Sequence, residues 1–269
     1  MNKPTTTDLF GTAAEPHPEP APLRTEPPVR RSGGIGPAAV DDALQALAAR
    51  TSPRLYLGTS SWYFPGWAGI VYDRAAPEAK VSREGLRAYA QHPLLHSVSI
   101  DRGFYQPLAT GDYRRYAQQV PGHFRFTVKA WRGVTDPQIE AMPNPLFLDG
   151  DYAREAILQP FLEGCGDKAG VWVMQFSPDL PRRARLTPTA FAERLDVFLA
   201  ALQSPVPVAV ELRDAVLFTP EYLAVLKAHG AVHSVNVHPR VREYGLGVIE
   251  QVRCIGYRPE PLVIRWLSL

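Results

Sequence analysis

Short apolar segments alternate with amphipathic segments over most of the chain. The apolar, β-rich segments are residues 54–60, 95–101, 124–130, 170–177, 206–213, 231–237 and 262–269. Stretches typical of helices lie between them, near residues 82–91, 112–119 and 151–162. Strands that alternate with helices build βαβ units. The pattern therefore predicts an α/β fold with a parallel sheet.

Threonine–proline pairs mark the starts of two further helices. Thr187 precedes Pro188 and Thr219 precedes Pro220, so each helix gains a capping hydroxyl and a proline at its first position. Gly230 stands where a glycine commonly ends a helix in the left-handed conformation. We expect helices at both prolines, the second ending just before this glycine.

The spacing of the predicted strands favours a barrel. Their starts are about 35 residues apart, close to the roughly 31 residues per unit of an eight-unit barrel of ~250 residues. A doubly wound open sheet is the alternative, although no G-x-G-x-x-G or P-loop follows the first strand. We predict a TIM-type (β/α) barrel with seven visible strands that lacks the C-terminal eighth strand and helix.

The chain divides into three predicted regions. Residues 1–37 are rich in Pro, Glu and Thr, a composition typical of a disordered tail. Residues 38–53 contain one short helix, Asp41 to Arg50, and a linker. Residues 54–269 form the barrel domain, which we expect to be incomplete at its C-terminal end.

Composition excludes several classes of protein. Apolar residues make up 45% of the chain and charged residues 21%, which are ordinary globular values. A membrane-spanning run of about 18 apolar residues is absent, and the N-terminus lacks a secretory signal. The net charge of +2 gives no overall attraction to nucleic acid or membrane. Two cysteines cannot form a disulfide framework, so we predict a cytoplasmic protein that does not bind membranes.

Polar side chains recur at two-residue spacing near the C-terminal ends of the strands. The pairs are Ser99 and Asp101, Thr127 and Lys129, Gln175 and Ser177, Glu211 and Arg213, and Asn236 and His238, with Arg265 on the last strand. Two-residue spacing puts each pair on one face of its strand. If that face is the barrel interior, the pairs point to the mouth where barrel enzymes carry their chemistry.

These positions suggest roles in catalysis and binding. Asp101, Lys129 and Glu211 are the candidate catalytic residues, as acids, bases or an amine nucleophile. Arg213 and Arg265 are suited to clamp an anionic substrate, and Gln175 and Asn236 are further candidate substrate-binding residues. The alternative is an ion network that only fills the barrel top, with Lys129 and Arg213 against Asp101 and Glu211. A lysine paired with Glu211 would remain an inert cation.

Aromatic residues concentrate in the loop after the first strand. Ser60, Trp62 and Trp67, together with Tyr105 after the second strand, are candidate substrate-binding residues. The alternative is that the aromatic residues form a lid over the barrel. His233 and His238 are candidate metal ligands beside the carboxylates, but their spacing matches no metal motif, so we predict no metal site. The sequence indicates no particular cofactor.

Four motifs resemble the YecE-like family (domain of unknown function 72). They are LGTSSWYFPGWAGIVY, SVSIDRGFYQPL, FRFTVKAWRGVTD and VAVELRDAVLFTPEYLAVLKAHG, and the resemblance extends from about Arg54 to the end of the chain. It implies a TIM barrel, and the activity of the family is not established. It also implies that Ser60, Trp62, Trp67, Tyr105, Lys129, Glu211, Arg213 and Arg265 occupy motif positions.

The chain departs from that family in four places. Asp101 follows Ser99 and Ile100 where the family usually has Glu-Ile-Asn, and Asp136 and Asp214 stand where members often carry histidine. Members typically continue with a helix, an eighth strand and a final helix, whereas this sequence ends at residue 269. Two explanations are open: a truncated product, or coverage by another chain, including self-association through the open barrel edge.

Three functional interpretations follow from the sequence. The first is an enzyme that acts on a polar or anionic small molecule at the C-terminal barrel mouth. The second is a nucleic-acid-binding or metal-dependent phosphodiesterase-like barrel with phosphate contacts from arginine-rich segments. These segments contain Arg114, Arg115, Arg182, Arg183 and Arg185. The third is a truncated, non-catalytic protein.

Overall fold

The computed structural model describes residues 33–237, 247–255 and 261–265. Its main sheet contains β1 (Leu57–Thr59), β2 (Leu95–Ile100), β3 (Arg125–Lys129), β6 (Ala169–Gln175), β7 (Val208–Glu211), β8 (Val232–Asn236) and β9 (Val263–Arg265). The short strands β4 (Gln138–Ile139) and β5 (Met142–Pro143) form a separate antiparallel pair. The residues from Gly34 onward make up one compact unit.

The main sheet is parallel throughout and curls into a half-barrel. The strand order is β1-β2-β3-β6-β7-β8-β9, with each strand beside the next one along the chain. This order confirms the predicted α/β class and is consistent with an incomplete TIM-type barrel. A side chain at Gly58 would collide with the carbonyl group of Ser97, so glycine lets β1 lie close to β2.

Helices follow the strands and cover the outside of the sheet. They are α1 (Asp42–Arg50), α2 (Glu78–Glu84), α3 (Leu86–Tyr89), α4 (Thr110–Ala117), α5 (Arg132–Thr135), α6 (Gly150–Ala153), α7 (Gln159–Cys165), α8 (Leu180–Ala184), α9 (Pro188–Leu202), α10 (Pro220–Ala228) and α11 (Val248–Ile255). A π-helical turn, Arg154–Leu158, joins α6 to α7. Within the described ranges, no helix is long and apolar enough to cross a bilayer.

The predicted helix caps are confirmed. The hydroxyl of Thr187 accepts a hydrogen bond from the backbone N–H of Ala190 at 3.2 Å, and Thr219 accepts one from Tyr222 at 3.3 Å. Gly230 follows α10 with a φ of +63°, a conformation that is costly for other residues. Local sequence therefore fixes where these helices begin and where the second one ends.

The segment before α1 packs against the loop after β1. Ala38 donates its backbone N–H to the carbonyl of Val71 at 3.0 Å, and Asp73 donates to the carbonyl of Gly36 at 2.9 Å. Ile35 is buried in the main core. The last residues of the predicted tail, 34–37, thus belong to the compact unit, whereas residues 1–32 lie outside the described residues.

Two apolar layers lie on opposite faces of the sheet. The outer layer packs alternate strand residues, such as Phe126 and Trp172, against the helices. The inner layer is small: buried Val173, Ala209 and Val232, with partly buried neighbours on β6 and β9. Because side chains alternate along a strand, the residues two positions further on share this inner face. The inner layer therefore forms the floor beneath the predicted polar row.

His233 points to the outer face, because it stands three residues before Asn236 and side chains alternate between the two faces of a strand. Its Nδ1 lies 2.9 Å from the hydroxyl of Tyr222, and its Nε2 lies 3.0 Å from Oε1 of Gln251. The amide nitrogen of Gln251 donates to the carbonyl oxygen of Asn236 at 2.8 Å, so the amide oxygen faces the imidazole as an acceptor. Nε2 therefore carries the ring proton and Nδ1 accepts from the tyrosine. A neutral imidazole thus connects α10, β8 and α11.

We predict that His233 makes stability fall in mild acid. Burial lowers the pKa of His233 to about 4, against about 6.5 in the unfolded chain. Between these values the unfolded state binds a proton that the native state excludes, so the free energy of unfolding decreases as the pH falls. The expected loss between pH 7 and pH 5 is about 2 kcal/mol. Urea unfolding of the protein and of His233→Gln at both pH values checks this, since the variant should lose most of that difference. An equal difference in both proteins would contradict it.

Candidate functional site

An ion pair lies at the C-terminal ends of β2 and β3. Nζ of Lys129 is 2.6 Å from Oδ2 of Asp101, and the hydroxyl of Ser99 donates to Oδ1 at 2.5 Å. The parallel register that sets Ser99 opposite Thr127 brings the two charged residues together. Their side chains are 14% (lysine) and 23% (aspartate) exposed, so the pair is shielded yet accessible from the mouth.

A second, more deeply buried cluster centres on Glu211 at the end of β7. Oε1 of this fully buried carboxylate lies 2.6 Å from Nη2 of Arg213, close in distance but not aligned as a hydrogen bond. Oε2 accepts a hydrogen bond from Nη1 of Arg265 at 2.5 Å, and the same nitrogen donates to Oε1 of Gln175 at 3.1 Å. Gln175 and Glu211 are paired in the strand register. The cluster therefore joins β6, β7 and β9.

The buried cluster carries more positive than negative charge. Burial lowers the pKa of Arg213, the carboxylate of Glu211 raises it, and the charge of Arg265 lowers it again. Guanidinium groups nevertheless remain protonated at neutral pH, so one carboxylate faces two cations. Nε of Arg213, whose side chain is 9% exposed, has no hydrogen-bond partner among the described residues. Counting only the described residues, the cluster thus holds one uncompensated positive charge and a donor without an acceptor.

A cavity of about 410 Å³ opens beside Asp101. Its walls include the predicted residues Ser60, Trp62 and Tyr105, and the remaining lining residues are Ser61, Tyr63, Ser82, Ser99, Ile100, Arg102 and Tyr116. The indole N–H of Trp62 donates to the carbonyl of Ser82 at 3.0 Å, which fixes the ring in the wall. Tyr105 is 72% exposed and lies at the rim. The cavity therefore combines a fixed aromatic wall with one exposed ring.

Two of the predicted binding residues have other surroundings. The ring of Trp67 packs against Tyr89 and Phe64, and it does not line the cavity. Asn236 is buried, and its side chain donates to the carbonyl of Leu212 at 3.1 Å. His238 lies outside the described residues. The structure thus brings the remaining predicted residues into two ion clusters and one cavity.

Sequence reasoning missed the cavity residues that come from helices. Ser82 lies on α2 and Tyr116 on α4, and neither follows a strand, so strand spacing gives no signal for them. Tyr63 also lines the cavity, and its place in the aromatic loop beside Trp62 is a signal for it. Burial, followed by the charge of Asp101, raises the pKa of Tyr63.

The aspartates at the two departures from the family pattern organise the loops above β3 and β7. The carboxylate of Asp214 accepts the backbone N–H groups of Asp179 at 3.1 Å and Leu180 at 2.9 Å, at the start of α8. Asp136 forms an ion pair with Arg183 on that helix. Arg183, one of the arginines considered above for phosphate contacts, is therefore paired with a carboxylate of the protein itself.

Other candidate chemistry is sparse in the described ranges. They contain no group of three His, Cys, Asp or Glu side chains able to hold a metal ion. Cys165 is buried, which raises the pKa of its thiol to about 12, and Cys254 is exposed. A second cavity of about 220 Å³ lies at the N-terminal end of the sheet, between α9 and β7. That end of a barrel usually serves stability rather than catalysis.

Comparisons with known proteins agree with the motif resemblance. The model of a protein family of unknown function, DUF72, matches residues 56–266. UPF0759 protein YunF of Bacillus subtilis is 26% identical over 194 residues, which are 70% of this chain and 62% of YunF. The chain thus spans about three fifths of the length of this curated relative.

Solved structures of DUF72 proteins also match. One from Thermotoga maritima is 21% identical with a TM-score of 0.48, over 68% of this chain and 64% of the other. One from Enterococcus faecalis is 20% identical with a TM-score of 0.45, over 67% of this chain and 60% of the other. The family model covers most of the sequence, and the chain therefore belongs to the DUF72 family of proteins of unknown function.

Proposed function

We propose that this protein is an enzyme that acts on a polar, anionic small molecule at the C-terminal end of its sheet. The observation that supports this most strongly is the pairing of one buried carboxylate, Glu211, with two guanidinium groups. A self-contained ion network, the alternative interpretation, would balance its charges. Within the part of the chain that the structure describes, the second arginine leaves the cluster one positive charge in excess.

An anionic ligand would complete this cluster. Buried cations are costly unless they are paired and hydrogen-bonded, and arginine binds carboxylates and phosphates through well-oriented N–H groups. The Nε group of Arg213 has no acceptor among the described residues, and a ligand oxygen can provide one. The same excess charge attracts an anion from solvent, because a recessed charge is weakly screened.

The Asp101–Lys129 pair would supply acid and base chemistry beside this anion site. Its carboxylate oxygen and amine nitrogen are 2.6 Å apart, a distance across which a proton can move. Asp101 also lines the cavity, so a bound molecule has direct access to its carboxylate. Lys129 pairs with Asp101 and not with Glu211. Its amine therefore lies beside the mouth of the sheet rather than in the buried cluster.

We predict that inorganic phosphate and citrate raise the melting temperature of the protein. A ligand that binds only the native state stabilises it by about 2.7 kcal/mol at 100 times its Kd. Calorimetric melts in each anion, against chloride at equal ionic strength, measure the effect.

Arg213→Gln should lose most of the increase in melting temperature, relative to its own melt in chloride. The control Arg182→Gln changes an exposed arginine on α8 and should keep it. The proposal is wrong if phosphate and citrate act no differently from chloride, or if Arg213→Gln keeps the full increase.

We predict that the two ion clusters differ in their cost of disruption. Glu211→Gln leaves two buried guanidinium groups with a neutral partner and should lower the free energy of unfolding by about 3–5 kcal/mol. Lys129→Met disrupts a pair that is partly exposed and should cost about 1–2 kcal/mol. Urea unfolding measures both, and phosphate should stabilise Glu211→Gln more than Lys129→Met, because only the first variant leaves both guanidinium groups without a carboxylate partner. Equal costs, or equal responses to phosphate, would contradict the charge assignment.

A further inference from the structure

The cavity beside Asp101 has walls of hydroxyl groups and aromatic rings. Its volume of about 410 Å³ falls in the range of roughly 300–1,000 Å³ typical of small-molecule sites. Serine hydroxyls come from Ser60 and Ser99, and phenol rings come from Tyr63 and Tyr105. Hydroxyl groups both donate and accept hydrogen bonds. This lining therefore suits a ligand that itself carries several hydroxyl groups.

The carboxylate of Asp101 has acceptor capacity left for such a ligand. Oδ1 accepts a hydrogen bond from Ser99 and Oδ2 forms the ion pair with Lys129, whereas a carboxylate offers about four acceptor positions. Two further hydrogen bonds, one at each oxygen, match two adjacent hydroxyl groups on one ring. The existing partners hold the carboxylate in a fixed orientation before a ligand arrives.

The aromatic wall suits the apolar face of a sugar ring. Trp62 is held by its hydrogen bond to Ser82 and by edge contacts with the rings of Tyr63 and Tyr116. Trp62 itself is only 4% exposed, so the ring surface that a ligand can contact comes from the half-buried Tyr63 and the exposed Tyr105. A nucleobase could also stack here, but the lining offers mainly hydroxyl groups, which match the several hydroxyl groups of a sugar more closely than the edge of a base. The hydroxyl-rich lining favours a sugar over a base.

The cavity and the arginine cluster are close enough for one ligand to reach both. Asp101 directly follows β2, and Glu211 ends β7, with β3 and β6 between these strands. Lys129 on β3 reaches Asp101, and Arg265 reaches Gln175 on β6. Because β3 and β6 are neighbours in the sheet, one strand spacing of about 4.8 Å separates the strands that carry the two clusters. From these features we infer that the cavity binds the ring of a sugar whose anionic group, a phosphate or a carboxylate, lies at Arg213 and Arg265. This inference rests on the proposed anion site.

Calorimetric titration with anionic sugars tests the inference. The probes are glucose 6-phosphate, ribose 5-phosphate and glucuronate, each compared with inorganic phosphate and with acetate. At least one sugar anion should bind at least tenfold more tightly than the corresponding simple anion. Binding should also change the tryptophan fluorescence, because Trp62 lies in the cavity wall.

Substitutions of cavity residues test whether the cavity walls cause the tighter binding of the sugar anion. Tyr105→Ala removes an exposed ring, and Asp101→Asn removes the carboxylate, so either change should lower the affinity for the sugar anion at least fivefold. The affinity for inorganic phosphate should change less than twofold in Tyr105→Ala. Phe64→Ala is the matched control for Tyr105→Ala, since Phe64 is also an exposed aromatic ring, in the loop after β1, but does not line the cavity. This control should bind like the unmodified protein.

The possible failures separate the two proposals. If phosphate binds and Arg213→Gln abolishes it, but no sugar anion binds more tightly, the sugar inference is wrong and the anion site stands. The inference is also wrong if Tyr105→Ala and Asp101→Asn both bind the sugar anion as tightly as the unmodified protein does. If neither phosphate nor any sugar anion binds, the proposed function is wrong and the inference falls with it.

Discussion

The interaction between Glu211 and its two arginines holds the open end of the sheet together. The carboxylate is fully buried, and a charge in that position requires paired, hydrogen-bonded partners. Arg265, on the edge strand β9, reaches across to β7 and to Gln175 on β6. The side chain of the last strand is thereby tied to the middle of the sheet in addition to its backbone pairing with β8. The residues that close this end of the structure are also those that we assign to the ligand.

The alternation of side chains along the strands places this charged layer directly on an apolar one. Val173 and Ala209 lie two residues before Gln175 and Glu211, on the same inner face of their strands. The apolar floor keeps water away from the lower side of the carboxylate and its cations, which strengthens their interactions. It also makes any imbalance of charge costly. Under the proposed function, the cation in excess among the described residues costs stability in the free protein, and a bound anion would restore it.

Local sequence signals predicted most of the scaffold. The capping threonines, the glycine after α10 and the alternation of strands with helices each depend on residues close together in the chain, so their structural meaning is readable from the sequence. The same holds for the polar row, because two-residue spacing assigns side chains to a face. The opposite orientation of His233 follows from the same rule. Helix α11 was missed because Gln251, a polar residue, occupies its buried face and interrupts the apolar pattern.

The choice of partners within the polar row depends on the register between strands, which the sequence does not reveal. Lys129 pairs with Asp101 because β2 and β3 are neighbours in the appropriate register, and Glu211 takes both arginines because the curl brings β9 near β7. The cavity has a similar origin, since helices α2 and α4 supply part of its wall. The residue types indicated a polar mouth, but only the tertiary arrangement shows two separate clusters and a pocket beside one of them.

The central claim is that Glu211 and Arg265 interact directly and strongly across the sheet. A double-mutant cycle with Glu211→Gln, Arg265→Gln and the double variant, followed by urea unfolding, measures this interaction free of other effects of each change. The account predicts a coupling energy of about 1–3 kcal/mol, with the double variant losing less stability than the two single variants added together. Additive losses, within about 0.5 kcal/mol, would contradict it.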